Sequence, residues 1–204
     1  MADTLTFFTN PMSRGRTVRW MLEETGCTYD TVLVDWANKP AELLDINPMG
    51  KVPVIRHGTR VVSEVAAICT YLADAFPDAG LAPALTDRAA YYRWLFFVAG
   101  PFEAAITDKA LGIESTAGKE GFVGYGDMDR TLYMIERAVE GAGYLAGERF
   151  SAADLVVAAY LNFYMQFGLI PKRPAFVAYG ERMAARPAAV RAAEIDDGLM
   201  PKQG

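Results

Sequence analysis

Apolar positions along the chain follow two rhythms that change at one place. In the first part, short apolar runs alternate with helical spacing. Thr4–Thr9 carries Leu5, Phe7 and Phe8 and reads as a strand, while Arg14–Thr25 sets Val18, Met21 and Leu22 at helical intervals. Gly26 stops that helix where a C-terminal cap is wanted. Tyr29–Val34 is a second strand, so strand, helix and strand form a crossover unit with a parallel pair. Pro40 opens a short helix through Ile46. Val52–Ile55 and Arg60–Val62 are two further strands either side of Gly58, and a helix opening at Ser63-Glu64 runs to Phe76. The predicted order is β-α-β-α-β-β-α.

The rhythm changes at Pro77-Asp78-Ala79-Gly80-Leu81-Ala82-Pro83, a linker rich in turn formers, after which the chain is almost wholly helical. A helix begins at Thr86-Asp87 and carries Tyr91, Tyr92, Trp94, Leu95, Phe96, Phe97 and Val98 all round its axis, so it is covered on several sides. Pro101 kinks or interrupts it, because proline removes a donor and crowds the previous turn. Ala117–Gly126 is glycine-rich and reads as a loop; a helix from about Asp127 to Glu140 precedes Gly141-Ala142-Gly143. Ser151 and Asp154 have capping-box spacing, with Phe150 and Leu155 spaced as a hydrophobic staple. The helix they open extends through Tyr160, Phe163, Tyr164, Met165 and Phe167, a large aromatic surface that reads as core. Pro174 starts another helix, which Arg186-Pro187 ends before a last short one.

With 204 residues, 52% of them hydrophobic, the chain supports one large domain or two small ones. A formal charge of -5, with no basic run interleaved with aromatics, argues against nucleic acid as a partner. No apolar segment reaches membrane-spanning length and the start lacks a signal-peptide layout, so the expectation is a cytoplasmic protein with no membrane partner. Cys27 and Cys69 form no Cys-x-x-Cys pair, which excludes dithiol chemistry, and with His57 the single histidine no metal site of nitrogen and sulfur ligands is expected.

Chemistry concentrates between Asn47 and Ile68. Asn47-Pro48-Met49-Gly50 is a turn, and Lys51-Val52-Pro53-Val54-Ile55 leads into a strand. Pro53 donates no ladder bond, so it caps an edge or turns the preceding carbonyl outward, where backbone can pair with an extended peptide. Glu64-Val65 then opens a helix whose unpaired amides and positive end suit a carboxylate.

This stretch, with the β-α-β-α-β-β-α order and the later capping box, resembles the glutathione transferase superfamily over nearly the whole chain. The resemblance implies an α/β thioredoxin-like N-terminal domain at 1–78, a linker at 79–85, and an all-α helical domain at 86–204 that forms the second-substrate pocket. It implies a cis Val52-Pro53 bond, with Val52 exchanging main-chain hydrogen bonds with the cysteinyl unit of glutathione. Glu64 and Val65 take the γ-glutamyl end, although family members usually carry serine where Val65 stands; that removes a hydroxyl contact of about 0.5–1.5 kcal/mol and weakens binding. Ser63 lies one place early and caps the helix. Lys39 and Lys51 lie where members reach the glycine carboxylate, and Trp36 lines that edge, stands exposed in a turn or makes a dimer contact.

In Asn10-Pro11-Met12-Ser13-Arg14-Gly15-Arg16, Ser13 resembles the serine that activates the glutathione sulfur, with Thr9 and Asn10 as alternatives and helix capping as its plainer role. An unperturbed thiol has a pKa of about 8.5, and lowering it two units takes about 2.7 kcal/mol, which a helix N-terminus and a hydroxyl donor share. Arg14, Arg16 and Arg19 read as a solvated basic face. The implied activity is attack of the thiolate on a hydrophobic electrophile, a detoxification type of reaction, in a homodimer with glutathione as co-substrate and no metal. Two other readings use the same fold: glutathione-dependent disulfide reduction or isomerisation, and a non-catalytic binding or scaffold protein.

Overall fold

The computed structural model describes residues 4–113, 118–141 and 143–200. The chain divides into two compact units, Met1–Leu81 with Arg186–Gly204, and Ala82–Ala185.

The first unit is built on a mixed four-stranded sheet. Its strands are β1 (Leu5–Thr9), β2 (Asp30–Leu33), β3 (Val54–His57) and β4 (Arg60–Ser63), in the order β2-β1-β3-β4. The crossover helix α1 (Gly15–Thr25) makes β1 and β2 parallel, whereas β1–β3 and β3–β4 are antiparallel. The central strand β1 is buried throughout, and alternation sends its side chains to two cores. Phe8 joins Val34, Leu43 and Val54 beneath the short helix α2 (Ala41–Ile46). Phe7 points the other way, toward α1, which packs against α3 (Val65–Ala75). This is the thioredoxin-like arrangement expected from the order of elements.

The last helix, α9 (Pro187–Gly198), belongs to this unit and packs on α1, whereas the reading by sequence order grouped residues 186–204 with the helical domain. Charge explains the pairing. Along α1 run Arg16, Arg19, Glu23 and Glu24; along the antiparallel partner run Arg186, Arg191, Asp196 and Asp197, and every one is paired across the two. The arginines of α1 are therefore not the solvated face that their spacing suggested. Arg19 is only 1% exposed. Its Nε donates to Asp196 at 2.7 Å, its Nη1 to the Tyr29 hydroxyl at 3.2 Å, and its guanidinium lies 5.2 Å from the centre of the Phe7 ring. A buried guanidinium needs a buried acceptor, and Asp196, near the far end of the chain, provides one.

The second unit is helical: α4 (Ala89–Phe97), α5 (Glu103–Ala110), α6 (Met128–Val139), α7 (Ala152–Gln166) and α8 (Pro174–Ala184). Pro101 interrupts α4–α5 through a π-helical turn, Val98–Phe102, which absorbs its missing donor. Gly118–Gly126 contains neither helix nor strand; the Ala117 start of that loop and Ala142 lie outside the described residues. Asp127 caps α6 by accepting the Arg130 N–H at 2.8 Å. The core helix is α7. Asp154, fully buried in its first turn, accepts from the Ser151 N–H and hydroxyl, the Leu145 N–H and the Tyr179 hydroxyl. The capping box is therefore also a knot tying α7 to α8. Burial and the facing carboxylate push the Tyr179 hydroxyl pKa far up.

Candidate functional site

Register decides which loops meet. Phe8 pairs with Val54, Val54 with Ser63, and Thr9 with Leu33. The loop after β1, the residues before β3, the residues after β4 and the chain leaving β2 thus emerge at one end of the sheet. Ser13, Lys39, Lys51, Val52, Pro53, Glu64 and Val65 all belong to these segments.

The loop after β1 is built around Asn10. Its Nδ2 donates to the Val34 carbonyl at 2.9 Å, and its Oδ1 accepts the Met12 N–H at 2.8 Å. Its own carbonyl accepts twice from Ser13, from the N–H at 3.0 Å and from Oγ at 2.7 Å. Ser13 Oγ in turn accepts the Gly15 N–H at 2.9 Å, so the half-buried hydroxyl sits at the mouth of α1. This is the capping role, reached two residues on, although Arg14 is the N-cap by backbone geometry. No acidic side chain lies in the first turn of α1 to cancel the helix field there. Arg16 closes the loop, its Nε on the Pro11 carbonyl at 2.7 Å and its Nη2 on Asp197 at 2.6 Å.

Gly15 is required by packing. A Cβ there would stand 1.9 Å from Thr9 Oγ1 and 3.0 Å from Ser13 Oγ. Thr9 Oγ1 is itself buried, with no hydrogen-bond partner among the described residues.

The Val52-Pro53 bond is cis. The half-buried Val52 makes no backbone hydrogen bond among the described residues, so its N–H and C=O form an open edge. Just upstream, Asn47 fixes the turn: its carbonyl accepts the Gly50 N–H at 2.8 Å and its Nδ2 donates to the Lys51 carbonyl at 3.0 Å. Gly50 has a φ of 60°, and a Cβ there would meet the Lys39 ammonium at 3.2 Å. The fold thus lays the Lys39 side chain against the Gly50-Lys51 turn. Trp36 stands exposed.

At the end of β4, Glu64 adopts a φ of 69°. That is costly for a residue with a Cβ and persists only where surrounding structure dictates it. Glu64 is the N-cap of α3, without a side-chain cap bond, and Ser63 closes β4 instead of capping as its position suggested. The Glu64 carboxylate is exposed while Val65 is buried, leaving its backbone N–H as the polar group at the helix mouth. Glu64, Lys39 and Lys51 make no ion pair among the described residues, so two cations and one anion at this end remain unspent on internal partners.

The protein's own thiols do not share this end. Cys27 follows α1 at its far end and Cys69 is buried in α3, and burial raises both pKa values above the ordinary thiol range. Among the described residues no group of His, Cys, Asp or Glu is arranged to hold a metal, and no helix is long and apolar enough to cross a membrane.

Two family models match the chain. Residues 12–75 match the N-terminal domain of glutathione S-transferases and residues 124–187 the C-terminal domain. Glutathione S-transferase F14 from Arabidopsis thaliana is 30% identical over 190 residues, covering 82% of this chain and 74% of the relative. The chain belongs to the glutathione S-transferase family. Solved members of the family share its fold. A glutathione transferase from Methylococcus capsulatus superposes with a TM-score of 0.80 at 28% identity, covering 97% of this chain and 100% of that one. A sphingomonad glutathione S-transferase, solved complexed with glutathione, superposes at 0.77 with 29% identity, covering 96% and 100%.

The N-terminal family match spans Ser13, the cis-proline turn and the opening of α3, the segments that register brings together. Missed by sequence reasoning were the carbonyl of Asn10 as an acceptor for Ser13 and the brace from Arg16 to Asp197. The first had a local signal, an Asn heading a turn whose side chain accepts an N–H two residues on. The second joins residues 181 positions apart and had none.

Proposed function

We propose that this protein is a glutathione transferase that holds glutathione as a thiolate beside Ser13 and delivers it to a hydrophobic electrophile. The observation that carries the reading is the bonding of Ser13. Its oxygen is held by the Gly15 N–H, and its proton rests on a carbonyl that also accepts the Ser13 N–H. Rotation about Cβ–Oγ turns the proton toward a sulfur without leaving the Asn10 carbonyl unpaired. The Gly15 bond polarises the hydroxyl and strengthens it as a donor.

In this reading the open N–H and C=O of Val52 take the cysteinyl backbone, with Pro53 ending the edge. The Val65 N–H takes the γ-glutamyl carboxylate at the mouth of α3, the Glu64 carboxylate takes its ammonium, and Lys39 and Lys51 take the glycine carboxylate. The unpaired charges of these side chains support the assignment, as does the sphingomonad relative complexed with glutathione. The thiol loses its proton to solvent, sulfur forms a bond to an electrophilic carbon, and the leaving group departs with its electron pair. Stabilisation of the thiolate and positioning do the catalytic work. We further propose a homodimer through the second unit, where Leu85, Tyr92 and Phe96 leave apolar surface exposed, and a cytoplasmic setting in which both cysteines stay free.

Calorimetric titration with glutathione, followed by a pH titration of the ultraviolet thiolate band, tests the reading. In Ser13→Ala the bound thiol should titrate at least one unit higher and turnover should fall about 10- to 100-fold, the range of a hydrogen bond to a charged group. An unchanged thiolate band in that variant overturns the role of Ser13. Absence of binding at millimolar glutathione, restored in Val65→Ser, favours instead a non-catalytic binding protein whose site has drifted.

A further inference from the structure

We infer that Asn10 is a positioning residue for the reaction, setting where the Ser13 hydroxyl points; the inference rests on the transferase reading. Its side chain and carbonyl make four hydrogen bonds in a loop of five residues. Nδ2 reaches the Val34 carbonyl at 2.9 Å, fastening the loop to the chain as it leaves β2. Oδ1 receives the Met12 N–H at 2.8 Å, which folds the backbone into a turn just ahead of Ser13. The carbonyl receives the Ser13 N–H at 3.0 Å and hydroxyl at 2.7 Å. Asn10 therefore anchors the serine and also holds the resting place of its proton.

Only a side-chain amide of this length serves both neighbours. Oδ1 must accept from Met12 while Nδ2 donates to Val34, and aspartate would turn a carboxylate oxygen toward the Val34 carbonyl. Alanine removes both ties. In either variant the Asn10 carbonyl is free to drift, and the hydroxyl that depends on it loses its fixed bearing on the sulfur. Small displacements of a catalytic donor are expensive because the energy of its bond to the anion depends on alignment. Asn10 touches no reacting atom in this scheme, so its effect passes through Ser13 alone.

The test compares Asn10→Ala, Asn10→Asp, Ser13→Ala and Asn10→Ala/Ser13→Ala, using glutathione and chlorodinitrobenzene, from which sulfur displaces chloride. Thermal unfolding of each variant shows whether it is folded, and Asn10→Asp, which keeps the Met12 acceptor, carries the test if the alanine variant is not. Expected in Asn10→Ala is a rise of about one unit in the pKa of bound glutathione toward the free value of 8.5. With it should come a roughly tenfold fall in kcat near pH 6.5 and a change in the KM for glutathione of no more than about twofold. The double variant should be no worse than Ser13→Ala. A folded Asn10 variant with the parent thiol pKa overturns the inference, as does a loss that adds in full to that of Ser13→Ala. If Ser13→Ala shifts the thiolate and the Asn10 variants do not, only this inference fails. If Ser13→Ala leaves the thiolate band unchanged, the role given to Ser13 fails and this inference falls with it.

Discussion

Val65 begins α3 with a buried apolar side chain where the resemblance leads one to expect a hydroxyl. Its N–H, in the first turn, has no partner within the helix, so the helix end keeps its attraction for a carboxylate while lacking one donor. Val65→Ser should therefore tighten glutathione by about 2- to 10-fold, worth about 0.5–1.5 kcal/mol, measured by calorimetric titration; unchanged affinity would show that the carboxylate is held elsewhere. Val65 and Ser13 were legible in the sequence because each lies within a short motif. Asn10 was visible as a candidate and its bonds to Met12 and Ser13 are local, but its tie to Val34 depends on how β2 is placed beside β1.

Between elements, the pairing of α1 with α9 separates interactions that matter from those that decorate. Arg16–Asp197 and Arg191–Glu23 are at least half exposed on one side, and pairs of that kind contribute little. Arg19–Asp196 is buried on both sides and holds the register. Burial raises the Asp196 carboxyl above its ordinary range despite the pull of Arg19. The folded state then binds this proton more tightly than the unfolded chain. The group's stabilising contribution is full below the ordinary value of 3.8 and is lost as pH rises through the elevated folded one. Asp196→Asn, which fixes the neutral form and keeps an acceptor for the Arg19 Nε, is thus expected to be no less stable than the parent at pH 7, the difference closing in acid. Asp196→Ala, which strands the buried guanidinium, should cost about 3–5 kcal/mol. Urea unfolding at pH 7 and pH 4 checks both; a marked loss in Asp196→Asn at pH 7 would refute the sign.

For the whole molecule, exposed apolar area on the second unit is the feature with a measurable consequence. Leu85 is 81% exposed and Phe96 71%, with Tyr92 one helical turn before Phe96. If this face is the proposed dimer contact, sedimentation should give twice the 22.3 kDa chain mass, and Phe96→Lys should return the monomer with its fold intact. A parent protein that sediments as a monomer at tens of micromolar refutes it.

The order of elements, the change from mixed to helical architecture, the cis-proline turn, the capping box and the family were all determined by residues near one another in the chain. Periodicity, caps and turns are local physics, and a motif of a few residues carries them. Tertiary structure alone decided that Arg19 is buried, that α9 returns to the sheet-bearing unit, that Lys39 lies against the Gly50 turn, and that the side chain of Asn10 ties its loop to Val34. Each of these depends on a partner supplied by a distant segment, and neither the desolvation of a charge nor the anchoring of a loop exists until that partner is in place.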